Sequence, residues 1–187
     1  MSENETISQT QLEEEIFNTV RDVLDFPKAG VLFKDINPVF QNHRLSKKII
    51  KHLGEYYAQA NLDAVVGIES RGFFFGFPLA LELNIPFIPI RKKGKLPGDV
   101  LEQAYDLEYG KAIIEVQRDT IESGMNVLVH DDVLATGGTA NAAAQLVHKC
   151  GGHVHGFNFI IELAFLNGGE NLKSTSSNIY NLAVAKN

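Results

Sequence analysis

Val127-Leu128-Val129-His130-Asp131-Asp132-Val133-Leu134-Ala135-Thr136-Gly137-Gly138-Thr139 is the stretch whose reading decides the fold. It reads as an apolar strand over 126–130, a pair of acids, a loop of small residues, and a helix predicted over 139–149. In a parallel α/β sheet, ligands collect at the carboxyl ends of the strands. Thr136, Gly137, Gly138 and Thr139 put backbone N–H groups and hydroxyls at a helix N-terminus. Unsatisfied amides and the helix dipole favour an anion there, and the glycines let the backbone approach it closely. The chain contains no Gly-x-x-x-x-Gly-Lys-[Ser/Thr] and no Gly-x-Gly-x-x-Gly, so the nucleoside triphosphate and dinucleotide fingerprints are absent. Two carboxylates just before a phosphate cradle suit a diol beside the phosphate, as in a ribose 5-phosphate, because they accept hydrogen bonds from both hydroxyls. An isolated Asp-Asp would read as a turn cap and a solvated acid. The helix terminus that follows Asp131 and Asp132 favours the sugar phosphate.

Outward from this stretch, short apolar strands alternate with helices. Strands are predicted over 64–68, 86–90, 154–161 and 180–184, with helices over 73–83 and 139–149. A polar turn, Glu69-Ser70-Arg71-Gly72, follows the first of these strands. Upstream, Leu12, Ile16, Val20 and Val23 space a helix over 8–23, and 31–36 reads as extended. Ser46 is expected to cap a helix carrying Ile49, Ile50, Leu53, Tyr56 and Tyr57. The alternation implies α/β architecture with a parallel sheet. Residues 91–117 do not fit it: they are polar and glycine-punctuated, with strand-like pieces near Tyr105 and Ile113, which suggests a functional flap.

The chain has 187 residues, the size of one domain at about 100–200 residues each. Seventeen lysines and arginines against 23 acids give a net charge of −6, so an anionic ligand needs a local cluster and nucleic acid is disfavoured. The single cysteine, Cys150, excludes an internal disulfide. The acidic N-terminus does not resemble a signal peptide, the longest apolar run is too short to cross a membrane, and a cytoplasmic location is expected. The sequon Asn4-Glu5-Thr6 reads as chance.

The phosphate stretch resembles the phosphoribosyl-pyrophosphate motif of the type I phosphoribosyltransferases. The resemblance implies a central, mainly parallel sheet flanked by helices, a flexible flap over 91–117 and an N-terminal base-binding hood over 1–36. It also implies that Asp131 and Asp132 contact the ribose hydroxyls while Ala135, Thr136, Gly137, Gly138 and Thr139 hold the 5-phosphate. Four further segments resemble the adenine-using members of the family, in the family's order. They are Asp25-Phe26-Pro27 through Gly30-Val31-Leu32-Phe33-Lys34-Asp35-Ile36; Gly67-Ile68-Glu69-Ser70-Arg71-Gly72-Phe73; Ile90-Arg91-Lys92-Lys93-Gly94-Lys95-Leu96-Pro97-Gly98; and Leu107-Glu108-Tyr109-Gly110-Lys111-Ala112.

These segments also have a physical reading. Arg91, Lys92, Lys93 and Lys95 place four cations in five positions of an acidic chain. A pyrophosphate needs such local charge, and Arg91 and Lys95 are the expected contacts ahead of Lys92 and Lys93. Arg71 offers a second, bidentate fork. The resemblance adds Glu69 and Ser70 to the pyrophosphate turn, with a cis peptide between them, and Glu69 stands where the family often has Asp. Leu32, Phe33 and Lys34 resemble the purine-binding segment. Backbone groups there can accept from the adenine amino group and donate to N1, a pattern that guanine and hypoxanthine reverse at position 6. Phe33 would stack on the base and Leu163 would cover its other face. By resemblance, Glu108 is the acid–base residue that reaches N7 when the flap closes, and Tyr109 seals the flap against water.

The reaction implied is Mg²⁺-dependent transfer of ribosyl 5-phosphate from phosphoribosyl pyrophosphate to N9 of adenine, by a homodimer with no protein metal cage. Transfer to another purine such as xanthine, or a non-catalytic sensor of phosphoribosyl pyrophosphate, are the alternatives. His148, Cys150, His153 and His155 imitate a zinc spacing but read as a surface cluster beside a buried cysteine. Phe73, Phe74, Phe75 and Phe77 read as core and subunit interface, and His130 has no role assigned.

Overall fold

Ser8 caps the first helix, α1 (Gln9–Thr19): its hydroxyl accepts from the Gln11 N–H, and the Gln11 side chain accepts from the Ser8 N–H. The structure, a computed structural model, describes residues 8–106 and 110–186. Leu12 and Ile16 bury one face of α1. The helix expected over 8–23 stops at Thr19. Val20 turns extended, and β1 (Arg21–Leu24) pairs antiparallel with β2 (Leu32–Asp35). Strand pairing thus overrides the helical spacing of Val20 and Val23. Buried Asp35 closes this hairpin onto α2 (Asn37–Gln41), accepting from the Arg21 guanidinium at 2.5 Å and the Asn37 N–H at 3.0 Å.

The next helix, α3 (His43–Tyr57), starts one turn before the predicted cap. Asn42 caps it by accepting from the Leu45 N–H, while the Ser46 hydroxyl donates to Val39 O and ties α3 to α2. There follow β3 (Ala64–Ile68), α4 (Gly72–Leu83), β4 (Phe87–Lys92), β5 (Val100–Asp106), β6 (Lys111–Gln117), β7 (Asn126–Leu134), α5 (Gly138–Lys149) and β8 (His153–Leu163). A 3₁₀ turn, α6 (Gly168–Leu172) and β9 (Ile179–Ala185) complete the described chain.

Seven strands form one sheet in the order β5-β6-β4-β3-β7-β8-β9. The five from β4 to β9 run parallel, whereas β6 joins β4 antiparallel and pairs with β5 as a hairpin. Residues 91–117 are therefore the end of β4 and an ordered sheet edge, with positions 107–109 outside the described residues. One face of the sheet packs Val66, Val129 and Phe157 against Ala143 and Val147 of α5. The other packs Val65, Leu128 and Ile160 against Ile16, Leu53 and Leu79 of α1, α3 and α4. At about 25 cal/mol per Å² of apolar surface removed from water, these two layers are the main favourable term in folding. Beside them, α1 closes on the last strand, where Glu13 accepts from the Val184 N–H.

Candidate functional site

The site lies at the carboxyl ends of β3, β4 and β7. Asp131 and Asp132, expected in a loop, are the continuation of β7, and Asp131 pairs with Phe159 of β8. The ladder therefore fixes the backbone under both acids. Asp131 accepts from the Asp132 N–H at 2.9 Å, and Asp132 meets Arg71 Nε at 2.8 Å. Burial, followed by the charge of Asp132, pushes the Asp131 carboxyl well above the usual carboxylate range. Burial also raises Asp132, against the pull of Arg71. Two acids that resist ionising together favour a partner that supplies hydroxyl donors or positive charge.

Beyond β7 the chain crosses Ala135 and Thr136 into α5. Gly137, in the left-handed region at φ 82°, takes the N-cap position with no side-chain cap. The first amides of α5 thus face a cavity of about 70 Å³ lined by Asp131 and the loop residues Ala135, Thr136, Gly137, Gly138 and Thr139. Gly137 is required twice, by its φ and because a Cβ there would meet Gly168 O at 2.9 Å. Asn171 of α6 donates to Thr136 O at 2.9 Å and braces the same loop. Gly168 and Asn171 were not legible as site residues, because they act on the loop from 30 or more positions downstream.

A second cavity, about 360 Å³, shares Asp131 and adds Asp132, Glu69, Ser70, Arg71 and Lys92. The Glu69–Ser70 peptide is cis, as the resemblance implied. Glu69 accepts from Arg91 Nη2 at 2.9 Å and from the Lys92 N–H at 3.0 Å, with Lys95 Nζ 3.8 Å away. Hydrogen bonding to Arg91 holds the Glu69 carboxyl below its usual range. Arg91 and Lys95 thus converge on the turn after β3 and rest on a carboxylate of the chain. Lys92, ranked lower in the sequence, lines this cavity, while Lys93 pairs outward with Glu102 at 2.9 Å.

Phe33 on β2 lies under Arg71, whose guanidinium carbon is 5.7 Å from the ring centroid, and edge-on to Phe26 at 5.0 Å. Leu32 and Lys34 flank it, and Lys34 Nζ pairs with Asp22 at 2.8 Å. Leu163, at the end of β8, is half-buried against the α1/α3 layer and lines neither cavity. Glu108 and Tyr109 lie outside the described residues.

His130 does not face the acids. It is fully buried, and its Nδ1 sits 2.7 Å from Asn158 Oδ1 on the next strand. Burial lowers its pKa to about 4, so it is neutral at physiological pH. Of the histidine group, His155 bonds Asn126, and Cys150 is half-exposed rather than buried. Among the described residues no three His, Cys, Asp or Glu side chains gather as a metal cage.

The sequence profile of the phosphoribosyl transferase domain matches residues 35–173, which contain both cavities. The chain belongs to this family. An adenine phosphoribosyltransferase of Cytophaga hutchinsonii is 43% identical over 175 residues, covering 94% of this chain and 97% of that protein. A crystal structure of adenine phosphoribosyltransferase from Thermoanaerobacter pseudethanolicus superposes with a TM-score of 0.88 at 41% identity, covering 92% of this chain and 99% of the other. That from Saccharomyces cerevisiae, complexed with an imino-altritol bisphosphate and adenine, gives 0.85 at 38% identity, with 92% and 99% covered. The family fold agrees with the mainly parallel sheet flanked by helices that the sequence implied.

Proposed function

We propose that the chain transfers ribosyl 5-phosphate from phosphoribosyl pyrophosphate to N9 of adenine, yielding AMP and pyrophosphate. The observation that carries this is a pair of adjoining cavities sharing Asp131: an anion cradle at the α5 N-terminus and a cation-rimmed chamber beside it. A sugar bearing phosphate at one end and pyrophosphate at the other spans such a pair. The names of the similar proteins supply adenine as the acceptor.

In this reading Ala135, Thr136, Gly137, Gly138 and Thr139 hold the 5-phosphate. Asp131 and Asp132 accept from the ribose hydroxyls and favour positive charge developing on the sugar ring. Arg71, Arg91 and Lys95 hold the pyrophosphate as the C1–oxygen bond breaks and the N9–C1 bond forms. Positioning and electrostatic stabilisation do most of the work. Phe33 stacks on the base, backbone groups of Leu32 and Lys34 read its edge, and Leu163 closes the far side. Glu108 manages the proton at N7, and Tyr109 seals the flap. Glu69, Asp131 and Asp132 line one chamber with hard oxygen donors, which suits Mg²⁺ ligated largely by substrate and water. When bound, the ion neutralises charge on the leaving pyrophosphate.

A homodimer, by contact of the α4 faces, fits the exposure of Phe74, Phe77 and Leu81, at 56%, 51% and 64%. Among the described residues no helix is long and apolar enough to cross a membrane, and the reaction belongs in the cytoplasm.

The test mixes purified protein with phosphoribosyl pyrophosphate and Mg²⁺, offers each purine singly and follows pyrophosphate release. Turnover with adenine is expected. Turnover with xanthine alone, or binding without turnover, would replace this reading with a different purine or with a sensor.

A further inference from the structure

A buried acid behind the cation turn is absent from the roles above. Glu115 on β6 is only 2% exposed. Its Oε2 accepts from the Gly94 N–H at 3.1 Å, and its Oε1 from the Lys95 and Leu96 N–H groups at 2.8 Å each. Burying a carboxylate is costly unless its oxygens are hydrogen-bonded, and three convergent amides meet that condition. The turn they hold is tight, with Gly94 at φ 82°.

The bonds continue outward. Lys95 O accepts from Arg91 Nη1 at 3.0 Å, and Arg91 Nη2 donates to Glu69 at 2.9 Å. Arg91 is also the register partner of Glu115 across the β4–β6 ladder. One connected path therefore runs from the interior of the sheet edge, through the backbone of the turn and Arg91 Nη1, to Arg91 Nη2 at the Glu69–Arg71 turn. A free surface loop carrying three lysines and an arginine would spread its like charges apart. Here the turn is gathered from behind, and Arg91 and Lys95 converge.

We propose that Glu115 is a positioning residue for pyrophosphate: it holds the 94–96 turn in the shape that presents Arg91 and Lys95 to the leaving group. This rests on the pyrophosphate role given to those two cations. Glutamine in place of Glu115 keeps the volume but has one acceptor oxygen, and it sets an NH₂ group against N–H donors. A purely structural acid would, on substitution, weaken all ligands alike or none.

The experiment titrates wild type, Glu115→Gln and Arg91→Ala with inorganic pyrophosphate plus Mg²⁺, and separately with AMP, which offers the 135–139 loop a phosphate and leaves the cation turn without one. For Glu115→Gln, pyrophosphate affinity is expected to fall about tenfold and the KM for phosphoribosyl pyrophosphate to rise by about as much, with AMP affinity and the KM for adenine within about twofold. If the variant does not fold, Glu115→Asp, which carries the charge one methylene short, is read in the same way. Equal losses for pyrophosphate and AMP, or no loss for either, would overturn the proposal. Loss in Arg91→Ala without loss in Glu115→Gln overturns it alone. No loss in Arg91→Ala removes the pyrophosphate reading and the proposal together.

Discussion

At the scale of single residues, Gly137 is constrained twice over, by its φ and by its neighbour. Replacing it with alanine puts a Cβ at positive φ and against Gly168 O. Holding a non-glycine residue there costs about 1–3 kcal/mol, and the strain falls on the phosphate loop itself. Gly137→Ala should lower the unfolding midpoint and weaken AMP binding by about tenfold or more, read by calorimetric titration. His130 gives a prediction of different kind. Its pKa is about 4 in the folded chain against 6.5 for the free group, so the unfolded chain binds the extra proton between those values. Stability from this group is intact above about pH 6.5 and is lost as pH falls toward 4, at about 1.4 kcal/mol per unit. In urea unfolding across that window, His130→Gln should show a shallower fall than wild type, and equal slopes would dismiss His130 as the cause. At this scale Asp131, Asp132 and the loop glycines were legible because their chemistry is local to one motif. The partnership of His130 with Asn158, of Glu69 with Arg91, and of Glu115 with the 94–96 turn was not, since each joins positions 19 or more apart.

At the scale of elements, β3 was legible residue for residue, because a five-residue apolar run between polar turns has only one burial solution. The Asn126–Leu134 strand was read four residues short, since a pair of acids looks like a loop until its ladder with β8 is seen. Helix α1 was read too long, because Val20 and Val23 keep helical spacing after the chain has turned to pair with β2. Residues 91–117 stood out by their refusal to alternate, and β5 and β6 show why: they form an antiparallel hairpin on a parallel sheet. Asp106, where its described part ends, lies beside Gly138, with Asp106 O 3.7 Å from where a Cβ on Gly138 would be. Glu108→Gln is expected to cut kcat by about 100-fold, within the range for a general acid–base group, with the affinity for phosphoribosyl pyrophosphate near that of wild type. Pre-steady-state turnover and equilibrium titration separate the two quantities.

At the scale of the whole molecule, the net charge of −6 and the anionic substrate are reconciled by location. Arg71, Arg91, Lys92 and Lys95 gather around one chamber, while acids elsewhere leave the total negative. The outer face of α4 presents Phe74, Phe77 and Leu81 together, beside a groove of about 460 Å³ lined in part by Phe40, Ile50 and Pro78. Exposed apolar patches of this kind mark protein contacts. Phe77→Asp with Leu81→Lys should weaken self-association by about tenfold or more in sedimentation equilibrium, and an unchanged mass would place the subunit contact elsewhere.

The closure of α1 on β9 has a consequence for how the chain is made. Helix α1 carries Leu12 and Ile16, and its Glu13 binds the backbone of β9, 171 positions later. Part of the apolar stripe of α1 therefore waits for β9, and contacts this distant in sequence form slowly. During that interval the stripe is open to aggregation, which the charges of Glu13, Glu14 and Glu15 on the same helix oppose.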